Sequence, residues 1–354
     1  MNPFAYALPA SQVAAVALLD GGAAAQCIAG GTNLIDLMKG RLAKPSLLVD
    51  INQLPLRDIV VDSHNVLHLG ALVRNSDTAE NAFVKNSVPL LRAAILAGAS
   101  PQIRNMASNG GNLMQRTRCV YFQDPGVPCN KRQPGSGCPA VHGLARQHAI
   151  FGASEQCAAT HPSDMCVALA ALDAVVHVVG PTGSRAIPFG EFHRLPGHEP
   201  QFDTTLATGE LITQIEIGDV SRFAQHSCYL KLRERSSYAF ALVSVAAALD
   251  LADDGSIRDV RIALGGVAAR PWRDRQVETA LLGRPATAAS FTDAANALMS
   301  AARPVGDASR SENTSNAFKI PMARRAIVRA LEMATAGVKS NTGEDAARAR
   351  GESA

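Results

Sequence analysis

Apolar and polar positions follow recognisable periods along most of the chain. Ser11 to Leu19 has helical apolar spacing, and Leu34 to Gly40 resumes it. Between them Gln26 to Ala29 reads as a short strand that ends in glycines. Leu47 to Ile51 is apolar for most of its length, as a strand buried on both faces would be. Residues 1–55 therefore read as a small α/β unit. Ile59–Val61 and Val66–Leu69 flank Asp62-Ser63-His64-Asn65 and predict a hairpin. A helix over Val88–Gly98, closed by its glycine, is followed by Pro101–Leu113 and by a helix over Asp164–Leu172. Ala174–Val179 and Glu210–Ile217 read as strands, and residues 56–221 form a second unit. In a third unit, 222–335, Tyr229–Arg233, Leu242–Leu251 and Val260–Val267 predict an antiparallel sheet. Asp253-Asp254-Gly255 turns between the last two, and Ala-rich helices follow at 275–302 and 319–335. The polar end, 336–354, predicts disorder. The order of elements predicts an α+β protein.

Composition narrows the function classes. The 354 residues carry 34 basic against 31 acidic side chains, net +3. That is no electrostatic footprint for nucleic acid. Aromatics are 5%, with Trp272 the single tryptophan, which argues against stacking platforms for single strands. The longest apolar run, Ala239 to Leu249, is broken by Ser244 and falls short of a membrane span. The first basic residue is Lys39, so the chain reads as having no export signal of its own.

Two glycine turns carry the first chemical signal. Ala29-Gly30-Gly31-Thr32-Asn33-Leu34 stands between a strand and a helix, and Ser108-Asn109-Gly110-Gly111-Asn112-Leu113 has the same character. Paired glycines let backbone approach a ligand, and the helix starts that follow suit an anion. One such turn is ordinarily just a tight turn. Two in one chain match the two phosphates of a dinucleotide. Neither fits G-x-G-x-x-G or the P-loop pattern, which argues against a nicotinamide Rossmann site and a Walker nucleotidase.

With these turns the chain resembles the FAD-binding subunits of the molybdenum hydroxylases, the xanthine dehydrogenase and aldehyde oxidoreductase family. The resemblance runs over most of residues 1–335. It is carried by Ile28-Ala29-Gly30-Gly31-Thr32-Asn33-Leu34, by Ser100-Pro101-Gln102-Ile103-Arg104-Asn105 leading into Gly110-Gly111-Asn112-Leu113, by Pro162-Ser163-Asp164-Met165 and by Lys231. It implies two N-terminal FAD-binding subdomains, 1–55 and 56–221, then the C-terminal flavoprotein domain. Both glycine turns would hold the FAD pyrophosphate, with Cys27 to Leu34, Ser108, Gly110, Gly111 and Asn112 at the cofactor. Asp164 would contact its ribose or adenine end, and Lys231 would reach toward the flavin. Asn109 stands where other members have a β-branched or small residue.

Cysteine usage marks a second feature. Seven cysteines is an odd count, which disfavours a disulfide scaffold. Cys27, Cys166 and Cys228 sit singly in apolar stretches and read as core residues. Cys119, Cys129, Cys138 and Cys157 share one Pro- and Gly-rich stretch with spacing C-x9-C-x8-C-x18-C. A loop this long is costly to order unless something ties it down. Four thiolates are the complement of a [4Fe–4S] cluster. Unliganded thiols, zinc or two disulfides remain alternatives, although the C-x2-4-C pairs usual for zinc are missing. The resemblance sharpens this reading, because one branch of the family carries an extra [4Fe–4S] cluster in such an insertion, here at about 115–157. The surrounding residues look most like the aldehyde-oxidoreductase branch. Arg116, Arg118, Lys131 and Arg132 would offset the cluster's charge. His161 reads as a packing or capping residue, and His142 and His148 as neighbours in sequence without contact to the cluster.

No hydrolytic triad or metal-hydrolase motif is evident, and no catalytic residue is assigned. The resemblance implies an electron-relay subunit of a heterotrimeric aldehyde oxidoreductase. A large partner would bind the molybdenum cofactor, and a small one the [2Fe–2S] clusters. The alternatives are the FAD subunit of a xanthine dehydrogenase or 4-hydroxybenzoyl-CoA reductase, or a stand-alone flavin oxidoreductase. The complex would be cytoplasmic, or periplasmic by co-export with a signal-bearing partner.

Overall fold

The computed structural model describes residues 1–337 except 23, 308 and 310–313. The expected disordered tail lies outside these apart from its first two residues. Three sheets organise the chain in sequence order. The first is parallel, in the order β1-β3-β2, with β1 Ala5–Ala7, β2 Ala25–Ile28 and β3 Leu47–Asp50. The second is antiparallel, in the order β4-β5-β8-β6-β7, with β4 Ile59–Val61, β5 Leu67–Gly70, β6 Val175–Gly180, β7 Gly183–Pro188 and β8 Leu211–Ile217. The third is antiparallel, in the order β12-β11-β10-β9, with β9 Ser227–Leu232, β10 Val243–Leu251, β11 Ile257–Gly265 and β12 Trp272–Arg273. The α+β class and the antiparallel C-terminal sheet match the expectation.

Strand β10 explains how the units join. Its sequence alternates large and small apolar residues. Val243, Val245, Ala247 and Leu249 face the helices of the C-terminal domain. Ala246 and Ala248 face the other way, into the core of the second unit, where helix Asp164–Ala171 packs. The small face lets that helix approach closely, and all its residues are buried. Two covered faces give the continuous apolar run seen in the sequence.

Elements missed in the sequence are short or weakly patterned. They include β1, whose side chains are largely exposed, and β7, where only Ile187 is buried. Two short helices, Asn75–Glu80 and Ala82–Ser87, were also missed. The stretch 275–302 is two helices, Arg275–Leu281 and Ala288–Met299, with Gly283 at φ +75° and Pro285 between them. The Cys-rich insertion is less irregular than expected: Val120–Gln123 is helical and Pro139–Val141 is a 3-10 turn. Phe122 and Cys129 pack on Leu37 of the first unit. Ile150 and Phe151 enter the C-terminal core, with Phe151 stacked 4.7 Å from Trp272. The insertion thus ties all three units together.

Candidate flavin cleft and thiol cluster

A cleft of about 680 Å³ opens where the three units meet. Both glycine turns reach it, through Thr32 and Asn33 on one side and Gly111 and Asn112 on the other. The glycines do different jobs. A Cβ on Gly30 would lie 1.8 Å from the Met106 carbonyl oxygen, so Gly30 is what lets the two turns touch. Gly31 holds φ +71° and turns the chain into helix Leu34–Lys39. A Cβ on Gly110 would press on Ala71 at 3.1 Å, whereas Gly111 faces the cleft and would meet only Ser108 Oγ.

The helix after the first turn is six residues long, and the second glycine pair lies inside a five-residue helix, Asn109–Leu113, rather than before it; both are too short for a strong dipole. Individual groups supply the anion chemistry instead. Asn33 Oδ1 accepts the Arg116 N–H at 3.2 Å, and its Nδ2 is buried with no partner. Arg118 also lines the cleft, with its guanidinium 5.3 Å from the Phe240 ring and its Nε buried without an acceptor. Unpartnered buried donors are costly, and here they sit in a cleft of dinucleotide size. This donor set fits a diphosphate. Asn109 points away from the cleft. Its amide binds Thr78 Oγ1 at 2.8 Å and accepts from Asn75 at 2.9 Å, so it braces the second turn from behind.

Asp164 and Lys231 meet at one point of the cleft wall. Lys231 Nζ donates to Asp164 Oδ2 at 2.7 Å and to the Ala97 carbonyl at 3.0 Å. Tyr229 donates its hydroxyl to Asp164 Oδ1 at 2.7 Å. Burial pushes the Asp164 carboxyl up, against the pull of Lys231. The two residues therefore meet at one place in the cleft wall, whereas the sequence reading set Asp164 toward the ribose or adenine end and Lys231 toward the flavin. Seven of the other expected cofactor residues, Ile28, Ala29, Gly30, Gly31, Leu34, Ser108 and Gly110, stand behind the lining rather than in it. Cys27 is a packing residue of the first core, its thiol pushed up to about 12 by burial.

The four insertion cysteines line a single small void, walled also by Phe122, Asn130 and Lys131. All four are free thiols. No three of the sulfurs fall within 4.8 Å of one another, the spacing a single shared ion requires. Such spacing and an all-thiol donor set fit a polynuclear cluster better than one zinc ion. The Ala159 N–H reaches Cys157 Sγ at 3.4 Å. Burial pushes the thiols of Cys119 up to about 12 and of Cys157 up to about 11.

The basic residues assigned to this loop separate into three roles. Lys131 is buried beside the void; its ammonium donates to the Pro200 carbonyl at 2.6 Å and pairs with Asp203. Arg116 pairs with the same carboxylate at 2.7 Å. Despite burial, these two cations hold Asp203 below the usual carboxylate range. Arg132 ties the loop to itself through the Asp124 and Val127 carbonyls. Arg118 belongs to the cleft.

His148 departs from expectation most. Its Nε2 lies 3.1 Å from Cys119 Sγ. His161 behaves as a packing residue, its ring 4.3 Å from that of His193, which hydrogen-bonds the Leu113 carbonyl at 2.9 Å. His161, Cys166 and His193 bring three donor atoms within 4.8 Å, a grouping made by the fold from distant positions in the chain.

Comparison with known proteins assigns the family. A family model described as the FAD binding domain in molybdopterin dehydrogenase matches residues 2–218. One described as the CO dehydrogenase flavoprotein C-terminal domain matches residues 228–334. The chain belongs to the FAD-binding medium subunits of the molybdenum hydroxylases, and it is an oxidoreductase subunit. It is 46% identical to the aldehyde oxidoreductase FAD-binding subunit PaoB of Escherichia coli (strain K12), over 88% of this chain and 92% of that one. It is 29% identical to the glyceraldehyde dehydrogenase medium chain of Sulfolobus acidocaldarius, over 86% and 90%. Among solved structures, carbon monoxide dehydrogenase from Hydrogenophaga pseudoflava superposes with a TM-score of 0.73 at 27% identity, covering 95% of this chain and 98% of that chain. Among the described residues no helix is long and apolar enough to cross a membrane.

Proposed function

We propose that this chain is the FAD- and [4Fe–4S]-carrying electron-transfer subunit of a heterotrimeric, molybdenum-dependent aldehyde oxidoreductase. Its partners on this reading are a large subunit with the molybdenum cofactor and a small one with [2Fe–2S] clusters. One observation carries the reading beyond the family: Cys119 lines both the cleft and the four-thiol void, so the two cofactor sites share a wall. The identity with a subunit named for aldehyde oxidation supports the substrate class.

Bound FAD supplies the exchange of electrons singly or in pairs, and a bound cluster supplies one-electron exchange; the protein's part is binding, orientation and tuning. Thr32, Asn33, Gly111 and Arg118 take the diphosphate. The Asp164–Lys231–Tyr229 group holds the cleft wall where the second and third units meet. Cys119, Cys129, Cys138 and Cys157 ligate the cluster, and Lys131 lends positive charge beside it. Among the described residues of the cleft no group is arranged as a substrate base, which leaves the aldehyde chemistry to the large partner.

Purification of the native complex tests the reading. Three different chains, flavin and molybdenum, and about four iron per copy of this chain beyond those of the small partner are expected. An active, flavin-loaded chain without partners, or zinc in place of the additional iron, would overturn it.

A further inference from the structure

We propose that His148 donates an Nε2–H hydrogen bond to the sulfur of Cys119 and thereby raises the reduction potential of the cluster from its flavin-facing side. The inference rests on the cluster reading above and adds a residue outside the ligand set.

Three observations carry it. The Nε2–Sγ distance is 3.1 Å, within reach of a hydrogen bond to sulfur. An iron-bound thiolate has no proton, so the imidazole must be the donor. Its Nδ1 is buried with no hydrogen-bond partner, and Tyr121 packs on the ring at 5.9 Å. The backbone of the residue is also held firmly. The His148 carbonyl accepts from Asn316 Nδ2 at 2.9 Å and from Lys319 Nζ at 3.0 Å, and its N–H donates to Ala145 at 2.9 Å. The Asn316 and Lys319 contacts come from the C-terminal domain, which thereby anchors the backbone of a residue that touches a cluster ligand.

Location gives the contact its meaning. His148 lines the cleft, and of the four cysteines only Cys119 lines both cleft and void. His148 is the side-chain donor at the Cys119 sulfur. Hydrogen bonds to cluster sulfurs stabilise the more negative, reduced state and raise the potential. His148 is a positioning and tuning residue; it touches no substrate.

The test uses the intact complex and an EPR-monitored redox titration of the cluster. His148→Leu should keep its iron and sulfide yet titrate at a lower midpoint than wild type. His148→Gln, which retains an N–H donor, should recover part of the shift. An unchanged midpoint in the iron-loaded His148→Leu complex would overturn the inference and leave the cluster reading standing. If that variant loses its iron, pulsed EPR on wild type labelled with 15N-histidine decides. A 15N coupling to the reduced cluster is expected, and its absence overturns the proposal. Wild type without the additional iron would instead sink the cluster reading itself.

Discussion

Lys231 sits with its ammonium 2.7 Å from the Asp164 carboxylate, and both side chains are at most 8% exposed. Lys231 comes from the third sheet and Asp164 opens a helix of the second unit, so the pair spans the junction that forms the cleft. Breaking one side of a buried pair strands the other charge, typically at about 3–5 kcal/mol. Lys231→Met should therefore lower the thermal stability of the complex and its flavin content. Asp164→Asn in the same chain should recover much of the stability. Equal melting temperatures for wild type and Lys231→Met would contradict this.

Gly30 and Gly111 should fail differently. Any Cβ at Gly30 drives into the Met106 carbonyl, so even Gly30→Ala should separate the turns, shed flavin and reduce solubility. Gly111→Val adds bulk mainly to the cleft, and should shed flavin from a chain that still folds. Flavin absorbance per chain, read beside circular dichroism, distinguishes the two. Full flavin in both variants would rule out a diphosphate at these turns.

Arg118 and Asn33 offer buried donors without acceptors. A hydrogen bond to a charged group is worth about 1.5–3 kcal/mol. Arg118→Ala should thus weaken FAD binding by roughly 10- to 100-fold, and Asn33→Ala by a similar or smaller factor. Flavin release on dilution of the complex measures both. Unaltered affinity in Arg118→Ala would remove that residue from the site.

Lys319 gives a pH signature. Burial, reinforced by Arg146, pushes its amine down to about 7 from an unfolded value near 10.5. Between those values the unfolded chain binds the extra proton, so stability rises with pH across that window. A neutral amine has two N–H donors, matching the His148 and Gly266 carbonyls at 3.0 and 2.9 Å. Lys319→Met should flatten the rise of melting temperature from about pH 7 to 10 relative to wild type. Parallel curves for the two proteins would contradict the assignment.

Much of the fold was legible because its strongest elements are continuous apolar runs. β10 and helix Asp164–Ala171, buried on nearly every side, stand out in the sequence for that reason, and the Gly-Gly pairs by their composition. What was illegible depends on distant contacts. Nothing local says that Gly30 abuts Met106, 76 positions further on, or that Arg118 turns to Phe240 while Lys131 stays beside Cys157. For His148, proximity along the chain predicts little across a long loop. Its contact with Cys119 comes from anchoring by Asn316 and Lys319, over 160 residues away in sequence.

The most direct measurement is a density map of the purified complex with its native flavin. The FAD diphosphate is expected between Thr32–Asn33 and Gly111–Asn112, within hydrogen-bonding distance of Asn33 Nδ2. Density that leaves those residues bare, with the flavin absent or its diphosphate held elsewhere, would contradict this placement.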